Sequence, residues 1–319
     1  NNKITKTNLT TPDTIFLPQT LEKMKKKNID NVIIEASSHG LHQKRLDHID
    51  FIAGIFTNLS QDHLDYHKTM RSYLNAKLIL FKNILSKKKV VITDKSIRQF
   101  SKIKKISIKK QLKLTETSTI EKKIKKISNL NFNSIQLKNI AMAVAAAKLC
   151  NISERRIFRT LKKIRDVDGR LELVKIFSNN IKVYLDFAHT PEALLKSLQI
   201  LKKNQNDNIS VVFGCGGDRD FKKRPLMAKI ASENCKKIFV TDDNPRSEKP
   251  EKIRDEILTN IKNKNCFNIG SRTAAIKTAI KNADPNEVIL VAGKGHETEQ
   301  IYKDKIIKIS DKKIINNLK

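Results

Sequence analysis

No run in this 319-residue sequence is apolar for long enough to cross a membrane as a helix. The opening residues, Asn1-Asn2-Lys3-Ile4-Thr5, lack the apolar core of a secretion signal. With no Met in first place, the start reads as a cut rather than a natural beginning. Aromatic residues make up 5% of the chain and no RNA-recognition signature occurs, so there is little to stack on bases. Acidic residues are also scarce: 33 Asp and Glu against 64 Lys and Arg leave a formal charge of +31. Such a charge can mark a nucleic-acid or membrane-surface binder. Here the lysines are spread through nearly every segment, which reads as drift toward Lys, Asn and Ile, with some attraction for anionic substrates such as nucleotides left over. The cysteines, Cys150, Cys215, Cys235 and Cys266, form no C-x-x-C pair, so neither a zinc knuckle nor a redox motif is indicated. Reduced thiols in a cytoplasmic protein account for them.

What is present is a globular pattern, 39% hydrophobic and long enough for two domains with separate cores. Leu17, Leu21 and Met24 share a helical face over residues 16–27. Short apolar runs at 31–36, 52–57 and 90–93 predict strands, and 139–150 predicts a tightly packing Ala-rich helix. The lysine-rich stretch 101–128, with isoleucines in short alternations, predicts irregular edge strands. A boundary falls near Asp168-Gly169-Arg170, after which the pattern restarts. Strands at 181–187, 209–213, 237–241 and 287–292 are separated by helices at 191–203, 224–235, 249–262 and 271–282. That alternation implies a parallel sheet wrapped by helices, whose ligands bind beyond the carboxyl ends of the strands. His189, Gly214-Cys215-Gly216-Gly217, Asp243-Asn244-Pro245-Arg246 and Gly293-Lys294-Gly295-His296 all fall at such ends.

Five of the seven histidines lie between residues 39 and 67. A strand ending in Glu35 would place a carboxylate where magnesium could sit, and His63 and His67 have the i, i+4 spacing of a helical metal pair. The pattern is not H-E-x-x-H, so a zinc protease is excluded. Any single histidine here is more readily a hydrogen-bonded structural residue than a ligand; the cluster with Glu35 and Asp62 moderately favours a site. Lys77 shares a helical stripe with Met70, Tyr73, Leu74, Leu78, Phe81 and Leu85. Two readings stand for it, and the pattern alone favours the first. Its stem can pack while the ammonium reaches water, or a desolvated neutral lysine can react with carbon dioxide to give a metal-binding carbamate. GCGGDRD fails the dinucleotide pattern because its sixth position is Arg219; it is a flexible turn presenting Asp218, Arg219 and Asp220. In DDNPR, Pro245 stiffens the loop before Arg246, which suits bidentate binding of a carboxylate, although isolated arginines are usually surface ion pairs. VAGKGHE lacks the Ser/Thr of a phosphate loop, and its glycines let backbone approach a ligand with Glu297 free to bind an amine.

Taken together and in order, LTTPD, EASSHGLHQKR, FTNLSQDHLDYH, SYLNAK, DGRLE, DFAHTPEAL, FGCGGDRD, KRPLM, TDDNPRSE and AGKGHE resemble the Mur ligase family over nearly the whole chain. DNPR resembles the version that takes meso-diaminopimelate rather than lysine. The resemblance implies an α/β chain, with a P-loop-type ATPase central domain over 1–168, N-terminally truncated, and a Rossmann-like C-terminal domain over 169–319. It implies an ADP-forming acid–amino-acid ligase, dependent on ATP and Mg2+, that adds meso-diaminopimelate to UDP-MurNAc-L-Ala-D-Glu through an acyl phosphate during cytoplasmic peptidoglycan synthesis. Thr10, Thr11, Ser37, Gln43 and Arg45 would hold the UDP-MurNAc-dipeptide; Glu35, His63 and Lys77 as its carbamate would act in catalysis and metal binding. Asn139, Arg170 and Asp186 would contact ATP, and Arg219, Asp243, Asn244, Pro245, Arg246, Gly293 and Glu297 would bind diaminopimelate. A monomer without nucleic-acid or membrane partners is expected.

The sequence departs from the family in carrying no G-x-x-G-K-[ST] loop and no uridine-gripping N-terminal domain. The expectation is that this polypeptide alone is a fragment, weakly active or inactive. Leu9 stands where some relatives have Asn, and FNSIQLKN matches the family segment poorly, which weakens the role of Asn139 relative to Lys77. The alternatives are a non-catalytic remnant that binds amino acid or nucleotide, the folylpolyglutamate synthase branch, which DNPR and GKGHE argue against, and a basic nucleic-acid binder, which steep salt dependence of DNA binding would reveal.

Overall fold

The computed structural model describes residue 7 and residues 9–127, 132–205 and 208–318. Two compact units divide the chain: the first takes residues up to Leu59 and His67–Ile164, the second Ser60–Tyr66 and Arg165 onward.

The first unit begins with α1 (Phe16–Lys26), α2 (Ser38–His42) and β1 (Ala53–Phe56), and a single turn, α3 (Leu64–His67), straddles the division. It continues with α4 (Met70–Ile79), β2 (Val90–Thr93), α5 (Phe100–Lys109), β3 (Lys113–Glu116), α6 (Ser118–Ile127), α7 (Ser134–Leu149) and α8 (Glu154–Leu161). The strands form a parallel sheet in the order β1-β2-β3. Leu17, Leu41, Phe56, Leu78, Phe81, Val91 and Ile103 bury together in one core cluster. Ile92 of β2 instead packs with Met142 and Ala145 of α7, and α6, α7 and α8 share a further cluster around Ile124, Leu137 and Phe158. The Lys77 stripe is helical as expected, and a π-helical turn, Leu80–Ile84, carries it on to Leu85.

Two expectations fail in this unit. Residues 31–36 form no strand; Ile33 is 93% exposed, and no ladder of the sheet reaches them among the described residues. An apolar run becomes a strand only where another edge accepts its backbone groups. The stretch 101–128 is not irregular edge strand but α5, β3 and α6, with residue 128 outside the described residues. The Ile106–Ile108 alternation is misleading: Ile103 is fully buried while Ile108 is 70% exposed, so the three-residue spacing Ile103–Ile106 sets the structure. Asn133 and Gln136 close a capping box at the start of α7, which therefore begins five residues before the predicted helix.

The second unit contains β4 (Glu172–Ile176), β5 (Lys182–Asp186), α9 (Pro191–Gln205), β6 (Ile209–Phe213), α10 (Lys223–Asn234), β7 (Lys237–Val240) and α11 (Pro250–Leu258). It ends with β8 (Cys266–Asn268), α12 (Arg272–Lys281), β9 (Val288–Ala292), β10 (Glu299–Ile301), β11 (Ile306–Lys308) and α13 (Asp311–Asn317). Its six-stranded sheet runs β4-β5-β9-β6-β7-β8, parallel except for β4. α9, α10 and α11 cover one set of inward side chains through Leu194, Leu198, Met227, Ala228 and Ile253. α12 and α13 cover the other through Ala275, Ile276, Ala279 and Ile315. Every residue of β6 and β9 is buried. At about 1.5–3 kcal/mol per fully buried large apolar side chain, these central strands are firmly held beneath the turns that leave their carboxyl ends.

Candidate functional site

In the first unit, Thr11 is fully buried, and its hydroxyl donates to the carbonyl of Glu35 (2.7 Å) while lying 2.9 Å from Ser37 Oγ. Ser37 caps α2 by accepting the N–H of Gly40. Arg45 donates to the carbonyl of Thr11 (2.8 Å) and to Gln43 Oε1. Thr11, Ser37, Gln43 and Arg45 are thus one hydrogen-bonded group, with exposed Thr10 beside them in the chain. The Glu35 side chain is exposed, at the end of an unpaired segment rather than a strand. Half-buried Lys77 places its ammonium 5.6 Å from the ring centre of Phe56 and 5.4 Å from that of Tyr73, a cation over two π faces. Asn139 lies on an exposed position of α7.

In the second unit, the carboxyl end of β5 gathers Asp186, Phe187, His189 and Arg170. Asp186 accepts the N–H groups of Leu171 (3.2 Å) and Phe187 (2.8 Å) and the hydroxyl of Ser197. Burial nonetheless outweighs these bonds and pushes its carboxyl above the usual range. The Arg170 guanidinium sits 4.5 Å over the Phe187 ring, which stacks on His296. His189 Nε2 lies 3.2 Å from Asp62 Oδ2, and His63 Nε2 is 3.6 Å from the same oxygen. Burial alone would raise the Asp62 carboxyl, but the His189 hydrogen bond and the charges of Lys223, His63 and His189 hold it well below the usual range.

The turns after β6, β7 and β9 supply a second constellation. Arg246 adopts φ 53°, and its Nη1 donates to the carbonyls of Gly217 (2.8 Å) and Asn244 (3.3 Å). A Cβ on Gly216 would lie 2.8 Å from that nitrogen, so glycine is what lets the guanidinium settle there. Gly293 has φ 112°, and a Cβ there would stand 2.7 Å from Asp243 Oδ2. Asn244 donates to Glu297 Oε2 (3.2 Å), and Arg219, exposed, lies 3.7 Å from Asp65. Beneath the turn, buried Arg224 binds Glu248 and Glu256 and reaches the Gly216 carbonyl, and Glu248 accepts the N–H of Asp218 (2.7 Å).

The second unit therefore brings a guanidinium, Arg246, and a carboxylate, Glu297, to the same set of turns, linked through Asn244. Of the residues expected to hold a metal, Glu35 and Lys77 belong to the first unit and His63 to the second. Among the described residues no group of three His, Cys, Asp or Glu is gathered around one point.

Residues 1–152 match the Mur ligase middle domain, and residues 169–295 match the glutamate ligase domain of Mur ligases. The chain belongs to the Mur ligase family. It is similar to proteins named UDP-N-acetylmuramoyl-L-alanyl-D-glutamate–2,6-diaminopimelate ligase. That of Rickettsia bellii is 38% identical over 96% of this chain and 69% of its own length. That of Bradyrhizobium diazoefficiens is 37% identical over 95% and 67%. A solved structure of a protein with that name is 27% identical, covers 96% of this chain and 68% of its own, and superposes with a TM-score of 0.55. The bifunctional folylpolyglutamate synthase/dihydrofolate synthase of Yersinia pestis, solved with AMPPNP and Mn, is 16% identical with a TM-score of 0.59 over 77% of this chain and 59% of its own. It shares the fold alone.

Sequence reasoning assigned roles to Gly293 and Glu297 in this Mur ligase but none to Lys294 between them, which is 1% exposed and bonded to both Asn244 and Glu297. It counted Asp62 in the histidine-rich cluster but gave it no role of its own. The Arg224–Glu248 pair beneath the Arg219 turn leads to a pH prediction. Burial would raise the Glu248 carboxyl, but its bonds to Arg224 and the Asp218 N–H lower it below its ordinary value. A carboxyl depressed in the folded state stabilises above its unfolded pKa of about 4.3 and ceases to do so as pH falls through the folded value. Denaturant titrations should show wild type more stable than Glu248→Gln at pH 7, with the gap narrowing as pH drops below about 4. A gap that is constant from pH 7 to 3 would rule out this linkage.

Proposed function

We propose that this Mur ligase joins meso-diaminopimelate to UDP-MurNAc-L-Ala-D-Glu at the expense of ATP, in the cytoplasmic assembly of peptidoglycan precursor. The observation that carries the reading is the gathering of Asp243, Asn244, Arg246, Gly293 and Glu297 within one unit of a chain whose relatives are named for diaminopimelate. Residues 1–168 are assigned as the central ATPase domain and 169–319 as the C-terminal domain. No helix among the described residues is long and apolar enough to cross a membrane. The protein is taken to act as a monomer without nucleic-acid or membrane partners.

In the proposed reaction the side-chain carboxylate of D-glutamate attacks the γ-phosphorus of ATP, forming a C–O–P acyl phosphate and releasing ADP. The amine of diaminopimelate then attacks the acyl carbon. The tetrahedral intermediate expels inorganic phosphate, and the amine's proton is lost to solvent. Thr10, Thr11, Ser37, Gln43 and Arg45 hold the UDP-linked acceptor. Asn139, Arg170 and Asp186 contact ATP, with the Arg170–Phe187 pair offering a flat cationic face. Arg219 and the Asp243–Arg246 loop take the distal acid group that lysine lacks, and Glu297 takes an ammonium. Mg2+, when bound, would neutralise phosphate charge; Glu35, His63 and carbamylated Lys77 are its proposed holders.

ADP release by the intact protein tests this. It should require ATP, the UDP-linked dipeptide and meso-diaminopimelate together, with L-lysine a poor substitute. Diaminopimelate binding without any ADP release would favour the non-catalytic remnant instead. If Lys77 acts as a carbamate, Lys77→Ala should lower ADP release on the order of a hundredfold, as for loss of one preorganised charged group. Added formate or acetate should restore part of that activity. Absence of rescue would remove the carbamate from the scheme.

A further inference from the structure

Lys294 lies in the turn after β9, flanked by Gly293 and Gly295, and is 1% exposed. Burying an ammonium is costly unless it is paired and hydrogen-bonded. Its partners are specific: Nζ donates to Asn244 Oδ1 at 3.0 Å and to Glu297 Oε2 at 2.9 Å. Asn244 is itself 6% exposed, and the same Oδ1 accepts the backbone N–H of Ile301 at 3.0 Å. The two faces of a side-chain amide look alike, and only the surrounding donors and acceptors distinguish them. An ammonium and a peptide N–H can only donate, so together they require the oxygen of Asn244 on their side. The amide nitrogen is thereby committed to the opposite side, where it donates to Glu297 Oε2 at 3.2 Å. Both bonds to Glu297 fall on Oε2, and Oε1 is the oxygen left to take an ammonium.

We propose that Lys294 is the positioning residue that sets the polarity of the amino-acid site. It fixes the Asn244 amide with its N–H side toward the ligand and restrains Glu297 through one oxygen, so that the site reads an amino acid bearing an acid and an amine at its far end. The inference rests on the reading of these residues as the diaminopimelate site. Lys294 touches no substrate in this scheme; it acts through Asn244 and Glu297. Without its ammonium, one of the two donors that hold the Asn244 oxygen is gone and Glu297 loses its counter-charge. Ligand binding must then reorder both side chains, which is a cost in amino-acid affinity rather than in ATP affinity.

The test compares intact wild-type protein with Lys294→Ala and Lys294→Gln, by calorimetric titration with meso-diaminopimelate and by the KM values for diaminopimelate and ATP. In Lys294→Ala, Kd and KM for diaminopimelate should rise about ten- to a hundredfold, the range for losing charge-assisted bonds. KM for ATP should stay within about twofold, a change too small to mark a lost bond. Millimolar ethylammonium should recover part of the amino-acid affinity. Lys294→Gln can donate to Asn244 Oδ1 without a charge and should fall between the two; it also answers the question if the alanine variant fails to fold. Unaltered diaminopimelate affinity in the folded variants, or equal shifts for ATP and diaminopimelate, would overturn the proposal. Should the wild type bind no diaminopimelate, the reading of the whole site fails; should wild type and variants bind it equally, only the role of Lys294 does.

Discussion

Arg246→Ala in the intact protein is expected to lower kcat/KM for diaminopimelate by about two to three orders of magnitude, ~3–4 kcal/mol, as when one partner of a buried, hydrogen-bonded charge pair is removed. KM for ATP should hardly move. The magnitude follows from how the guanidinium is held. The Arg246 backbone N–H is tied to the Ile301 carbonyl at 2.9 Å, and Nη1 is occupied by the carbonyls of Gly217 and Asn244. Those bonds fix the plane of the fork before any ligand arrives. Burial lowers the Arg246 pKa and the nearby Arg219 charge lowers it further, with Asp243, Glu297 and Asp218 offsetting only in part. The guanidinium is thus largely desolvated, and a ligand carboxylate would supply a partner to its charge. Arg246→Lys keeps the charge but loses the fork geometry, so it should recover only part of the loss. Discrimination between meso-diaminopimelate and L-lysine should shrink in both variants. Equal losses for ATP and the amino acid would show that the change had disturbed the fold instead of the site.

The C-terminal half was legible because its central strands, β6 and β9, are buried on both faces. Residues 209–213, apolar but for Ser210, and 288–292, wholly apolar, each end at a Gly, and such runs admit few other readings. The site residues were legible for a related reason: in a parallel sheet the unusual residues after each strand converge, so DNPR and GKGHE could be placed at one end before any coordinate was known. The first half was harder. Ile106 and Ile108 alternate as in a strand but lie on α5, whose buried face is set by the Ile103–Ile106 spacing while Ile108 stays exposed. Residues 31–36 have strand composition without a strand partner among the described residues, a property of the sheet that no local pattern records. Lys294 was missed because lysine is ordinarily a surface residue; only the structure shows Asn244 and Glu297 closing around it.

Arg272→Met should destabilise the protein by about 3–5 kcal/mol, the cost of leaving one member of a buried ion pair alone. Arg272 and Asp311 are each 1% exposed. Arg272 Nε donates to both carboxylate oxygens (2.9 and 3.1 Å), and Nη2 donates to Oδ2 at 2.7 Å and to the Ala292 carbonyl at 3.0 Å. Among the described residues Nη1 is buried with no hydrogen-bond partner. The pair is thus strong in geometry but incompletely satisfied, and replacing both members by apolar groups should be far less harmful than replacing one. Arg272→Met with Asp311→Leu is expected to regain most of the stability lost in the single variant, as measured by urea midpoints at constant m-value. The regain need not extend to activity. Ala292 immediately precedes Gly293 and Lys294, so its carbonyl bond to Arg272 anchors the start of the turn that carries the proposed amino-acid site. A double variant that is stable yet shows a raised KM for diaminopimelate and an unchanged KM for ATP would separate these two roles of one guanidinium. If it matched wild type in both stability and KM, the anchor would have no part in binding.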